Sequence, residues 1–345
     1  MRRARFRRLA IPLILTGLTA CDNVSWGGVR MRLETPSVPA DTAAGAAEAA
    51  AVETPPPEGP RPLDLGPLLF LVERDAEEAT ALPVAEIAPG GLRDLPGADS
   101  VPDATDRIAE AAMAPGTDLV LFIAGARVGT FHVRETAGVD SAYCQPRPRS
   151  RGRLELVPDA MAAQRFLAVP YAQGGDAPLA PYQPEFSTRE QRVAALNMAA
   201  RLFPRLGARW PASILAARAD LQRFSPSGSR GPVIATTFVH HDQLGVGPPD
   251  SPQAWSLFFL AEDLGDGYEP TFVWYRIAAE EGKGIPRFVD HMDWDRDGSH
   301  EVLLEVLGTE TRWFAAVSPE GPGWYRSHEE ACPDTGPGSG VAAGR

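Results

Sequence analysis

Of the 33 basic side chains in this chain only Lys283 is a lysine, and 45 acids outnumber them to give a formal net charge of −12. The arginine bias reads as a coding preference. The acidic balance argues against nucleic acid or an anionic lipid surface as a partner, because both require clustered positive charge. Three cysteines are too few for a lipid-bearing thiol, a disulfide and a redox or zinc centre together. Beyond residue 20 no apolar run is long enough to cross a bilayer; "LVLFIAG" and "LFFLA" have the length of strands. There is no G-x-S-x-G elbow, phosphate-binding loop or H-E-x-x-H. These absences weaken an enzymatic reading while leaving open a site assembled from distant residues.

The first residues have a definite organisation. "MRRARFRR" is basic, "LAIPLILTGL" is apolar but too short for a stable span, and "LTAC" closes the segment at Cys21. Leu18, Thr19, Ala20 and Cys21 resemble a bacterial lipobox, which identifies residues 1–20 as a lipoprotein signal peptide. That resemblance implies a diacylglyceryl thioether on Cys21 and an acylated new amino terminus. The chain would then be membrane-held in the bacterial cell envelope, periplasmic or on the outer surface. Loss of the signal removes five arginines and no acid, taking the formal charge from −12 to −17.

Residues 21–65 are rich in Ala, Pro and Glu and read as a tether between lipid and folded body. Residues 333–345 read as a disordered tail. Between them the fold class is α+β, mainly β: an antiparallel strand meander, sandwich-like or blade-like, with one capped helix. A β-rich domain is expected over 66–175. "PLLFLVE" and "TDLVLFIAGARVGTFHVRE" are strand-like, the second turning back at Gly125, and "DATDRIAEAAMA" suggests a short helix. "AVPYAQGGDAPLAPYQP" reads as a linker. A second domain over 187–332 opens with a helix, where Ser187 and Glu190 form a capping box, Val193, Leu196, Ala200 and Phe203 share a face, and Pro204 is the stop. A degenerate repeat follows: "ARADLQRFSPSGSRGPVIATTF" parallels "VDHMDWDRDGSHEVLLEVL", and each copy leads into an aromatic-rich strand and turn. Each copy has material for about four strands. Cys144 and Cys332, left over once Cys21 carries lipid, are the candidate disulfide.

In "DWDRDGSHE", residues 293–301, carboxylates recur at every second position before a glycine. Three carboxylates so close repel one another. A hard cation would cancel that repulsion and lock the turn; without one they form a solvated acidic turn. "DWDRDGSHEVLLEV" resembles the calcium loops of FG-GAP and VCBS-type β-repeat proteins. The resemblance implies Ca2+ with a structural role, bound by Asp293, Asp295 and Asp297, the Ser299 carbonyl and Glu301. Leu304 stands where an EF-hand needs Glu.

Other candidates are weaker. His240 and His241 precede Asp242, but adjacent strand residues are expected to face opposite ways. Asp290 with His291 suggests a general base pair, and His300 lies inside the acidic loop. Trp255, Trp274, Trp313 and Trp324 suit a core better than a carbohydrate platform. The expected function is a non-enzymatic envelope module that binds an envelope protein or glycan. The alternative is an envelope hydrolase or glycan-active enzyme using Asp290 or Glu301.

Overall fold

The computed structural model describes residues 63–332 apart from 77, 98–99, 180–181 and 227–230. The signal peptide, Cys21, nearly all of the tether and the 333–345 tail lie outside the described residues. The fold is mainly antiparallel β with few helices, as its strand patterns indicate.

The first seven strands are β1 (Leu68–Asp75), β2 (Glu78–Ala88), β3 (Gly91–Arg93), β4 (Asp118–Ile123), β5 (Ala126–Asp140), β6 (Arg147–Leu156) and β7 (Arg165–Pro170). They hydrogen-bond in the order β1-β7-β4-β5-β6-β2-β3, and β1 also pairs with β2. Six of them therefore close a barrel, with β3 appended to β2. Closure removes free edges. Leu68, Phe70 and Val72 of β1 pack inside with Leu121, Phe131 and Phe166, while Leu69 and Leu71 face outward into a second cluster. Both faces are buried, which is why "LLFLV" is continuously apolar instead of alternating. The expected helix is α1 (Ala104–Ala112), and the expected hairpin turn falls at Ala124 and Gly125, both at positive φ (50° and 72°). Sequence reasoning did not identify β2. Its Pro83 sits beside a register shift in the β1 pairing, the kind of irregularity where a strand tolerates proline.

The second half builds two sheets of four. One contains β8 (Arg218–Phe224), β9 (Val233–His240), β10 (Trp255–Asp263) and β11 (Tyr268–Ile277). The other contains β12 (Ile285–Met292), β13 (Glu301–Leu307), β14 (Arg312–Glu320) and β15 (Gly323–Glu329). Each is a simple antiparallel meander, so the two repeat copies do supply four strands each. The β12–β15 sheet is covered on both sides. Trp294, Leu303 and Phe314 pack on Leu69, Leu71, Val120 and Leu167 of the barrel wall. Val302, Leu304, Val306 and Trp313 pack on Phe258, Leu260 and Trp274 of the neighbouring sheet. That second sheet buries its far face beneath a helix. Regions 66–175 and 187–332 thus share a core inside one compact unit. Trp255, Trp274, Trp313 and Trp324 are all core residues.

The covering helix, α2 (Arg189–Arg205), differs from expectation by one residue at its start. Its N-cap is Thr188, whose Oγ1 accepts the Gln191 N–H at 3.2 Å while Gln191 Oε1 accepts the Thr188 N–H at 2.9 Å. The Ser187–Glu190 box does not form. Both spacings satisfy the capping pattern, but Gln191 is also buried and donates to the Tyr268 hydroxyl at 2.7 Å. The buried stripe becomes Ala195, Met198, Ala199, Leu202 and Phe203, leaving Val193 47% exposed. The helix also runs one residue past Pro204. The Pro/Gly passage expected as a linker is held against the barrel, where Arg127 donates to the Gly175 and Ala177 carbonyls at 2.9 and 2.7 Å.

Two links tie the segment after β15 to the barrel. Cys144 and Cys332 form a disulfide (S–S 2.01 Å), joining residues 188 apart. Beside it Arg147, 1% exposed, meets Glu330 at 2.6 Å. Arg147 also donates to the Pro83 and Val84 carbonyls and lies over the Phe314 and Tyr143 rings.

Candidate metal centre

The loop joining β12 to β13 begins at Asp293. Trp294 anchors it: the indole is 1% exposed and packs with Met292, Leu303 and Phe314. Positive φ at Arg296 (63°) and Gly298 (92°) turns the chain back on itself. Side-chain-to-backbone bonds hold the turn. Asp295 Oδ1 accepts the Asp297 N–H at 3.2 Å, Asp293 Oδ2 accepts that of Gly298 at 3.0 Å, and Asp297 Oδ1 accepts that of Ser299 at 2.7 Å.

This folding brings carboxylate oxygens of Asp293, Asp295 and Asp297 within 4.8 Å of one another. Asp293 Oδ1 is buried without a hydrogen-bond partner among the described residues. A cluster of hard oxygens with an unsatisfied lone pair fits a calcium-sized cation. Glu301 lies behind the cluster, 3% exposed, accepting the Trp294 N–H at 3.4 Å. Burial pushes Glu301 up to about 8, and the charges of Asp295, Asp297 and Asp293 push the same way. Burial also raises Asp295, with Asp297 and Asp293 adding to it. A bound cation would reverse these shifts by favouring the ionised forms. Of the five residues expected as ligands, the three aspartates converge, Glu301 is not part of that 4.8 Å group and bonds the Trp294 N–H, and Ser299 contributes its N–H to the turn.

The histidines are arranged differently from expectation. Asp290 accepts backbone N–H groups of His291 (2.8 Å) and Ala124 (3.1 Å), so its carboxylate serves the chain, not the His291 ring. Burial pushes Asp290 up to about 7. His291 Nδ1 instead lies 2.8 Å from His300 Nδ1, and its ring packs near Phe224 and Phe288. Burial holds His291 down to about 3, with the His300 charge acting in the same direction. The rings of His240 and His241 approach to 4.0 Å between centroids, contrary to the opposite-face argument. β9 ends at His240 and His241 takes φ 53°, so strand alternation does not govern the pair. Asp242 is engaged by the buried Lys283 at 2.7 Å.

Two cavities flank this region. One of about 420 Å³ adjoins the acidic loop and is lined in part by Asp293, Arg296, His300 and Gln173. Another of about 530 Å³ lies where β8 and β12 meet the β4–β5 turn, and Asp220, Asp290, Tyr182 and His291 are among its walls. Asp220 lies within the first repeat copy, and nothing in the sequence pattern brought it together with Asp290. The available signal was the repeat itself, which puts an aspartate in the opening strand of each copy. No family model, no curated protein and no solved structure matches this chain, so the reading of its function rests on this geometry and on the motifs in its sequence.

Proposed function

We propose that this protein is a lipid-anchored cell-envelope binding module whose folded body is stabilised by calcium at Asp293, Asp295 and Asp297. The observation that carries the calcium half is the convergence of three carboxylates within 4.8 Å of one another, one of them Asp293, whose Oδ1 is buried and has no hydrogen-bond partner among the described residues. The anchor rests on the lipobox-like segment ending at Cys21, followed by the Pro/Ala-rich stretch. The metal serves the fold: its loop links two core strands through the buried Trp294, and the three aspartates are already occupied in holding the turn.

Thermal unfolding of the full chain in 10 mM calcium and in chelator tests the reading. With a dissociation constant of roughly 10⁻⁴–10⁻³ M, common for extracellular modules, ligand linkage gives about 1.4–2.7 kcal/mol. At about 2–4 °C per kcal/mol for a large domain, the melting temperature rises by roughly 3–11 °C. Asp295→Ala should abolish the rise. Identical curves in calcium and chelator would make the loop an ordinary acidic turn. The anchor is tested separately: radiolabelled palmitate should enter the wild-type chain and not Cys21→Ser, and equal labelling would refute lipidation there.

A further inference from the structure

We infer that the cavity between β8, β12 and the β4–β5 turn is a binding site for a neutral saccharide of one or two rings, with Asp220 and Asp290 as its hydroxyl acceptors. This deepens the binding-module reading by naming a ligand class and a site, and it rests on that reading.

β8 and β12 are the first strands of their sheets, and each carries a register irregularity just before an aspartate: between Arg218 and Asp220, and between Phe288 and Asp290. A bulge re-aims the side chain that follows it. In both copies the carboxylate Oδ1 accepts the N–H of the next residue at 2.8 Å, Leu221 in one and His291 in the other. The duplicated geometry delivers two carboxylates to one cavity. Its volume of about 530 Å³ lies within the roughly 300–1,000 Å³ range of small-molecule sites.

The walls define the chemistry. His291 is 1% exposed, and its Nε2 has no hydrogen-bond partner among the described residues. Such a group costs free energy unless something in the cavity bonds it. Phe224 and Phe288 stack at 5.2 Å between centroids, giving apolar surface for the C–H face of a sugar ring. The charges disfavour an ionic ligand. Arg223 is already paired with Glu185 at 2.8 Å, and Arg165 with Glu73 at 3.0 Å. An anion would lie beside Asp290, which is held by backbone N–H groups. A cation would meet three guanidinium groups, those of Arg165, Arg223 and Arg287, beside three carboxylates, those of Glu185, Asp220 and Asp290, so the formal charges of the wall balance and favour neither sign. Hydroxyl groups donate and accept at once, so they can satisfy carboxylates, guanidiniums and an imidazole in one small volume.

The test uses the full chain, held below its chelator melting temperature, in both calcium and chelator. Saturation-transfer NMR and calorimetry are run with glucose, N-acetylglucosamine, cellobiose, maltose and chitobiose, and with glutamate and spermidine as ionic comparators. At least one saccharide should bind one-to-one. Asp220→Asn and Asp290→Asn should each weaken it at least tenfold, while Gln173→Ala in the other cavity leaves it unchanged. Because Asp290 also holds Ala124, Arg287→Ala provides an independent arm and should weaken binding comparably. Binding of none of the five sugars, of glutamate or spermidine alone, or undiminished binding in Asp220→Asn and Arg287→Ala overturns the inference. Sugar binding without calcium-dependent melting would sink the calcium reading alone; the reverse result would sink this one alone.

Discussion

The Arg147–Glu330 pair offers the sharpest quantitative test of how the segment after β15 is held. Both side chains are almost fully buried, at 1% and 2% exposure, and Glu330 also accepts the Phe314 N–H at 3.2 Å. Glu330→Ala leaves a guanidinium in the interior without its counter-charge and removes the Phe314 acceptor. Breaking a buried pair from one side costs about 3–5 kcal/mol. At about 2–4 °C per kcal/mol, melting should fall by roughly 6–20 °C. Arg147→Met should cost a similar amount, since it strands the carboxylate and frees the Pro83 and Val84 carbonyls. The double variant removes both charges, so its cost should fall short of the sum by at least about 2 kcal/mol. Urea denaturation of all four proteins, with the disulfide intact, yields the cycle. Additivity within about 0.5 kcal/mol would refute the claim that the two charges compensate each other.

Other expectations follow from the same contacts. In chelator, Asp295→Asn should raise the melting temperature by roughly 4–7 °C, because it removes two repulsive pairs of about 0.9 kcal/mol each at 4.8 Å in water, converted at about 2–4 °C per kcal/mol; in calcium the same variant should be the less stable protein, so the order reverses. Replacing Cys144 and Cys332 by Ala should cost up to about 5 kcal/mol by the chain-entropy relation for a loop of 188 residues, with native circular dichroism retained because Arg147–Glu330 still holds that segment. His291, held down to about 3, contributes stability present above about pH 6.5 and lost as pH falls. Asp290, pushed up to about 7, contributes stability present below about pH 4 and lost as pH rises through 7. Between about pH 4 and 6.5 the two oppose. Relative to wild type, Asp290→Asn should make stability rise more steeply with pH and His291→Gln should make it fall, and parallel curves would contradict the assignment. Since Lys283 is 4% exposed and ion-paired, an amine-reactive ester should leave the native chain unlabelled if its amino terminus is acylated; one label per chain, mapped to that terminus, would contradict acylation.

Local signals were legible where local forces dominate. The Ala124–Gly125 turn, the β-rich class and the four strands per repeat copy follow from alternation and turn chemistry within a few residues. The three aspartates of the acidic loop are likewise neighbours in the chain, so sequence reasoning could name them as a cluster. Tertiary structure decided what distant partners decide. Barrel closure depends on β1 finding both β2 and β7, and β2 was hidden because its proline is tolerated only beside that irregular pairing. The capping box settled on Thr188 and Gln191 because Tyr268, 77 residues from Gln191, receives the glutamine's N–H. Asp220 and Asp290 share a cavity because two bulged strands and a barrel turn meet there. No pattern along one strand could disclose that meeting, since burial, unpartnered atoms and enclosed volume exist only once the layers have packed.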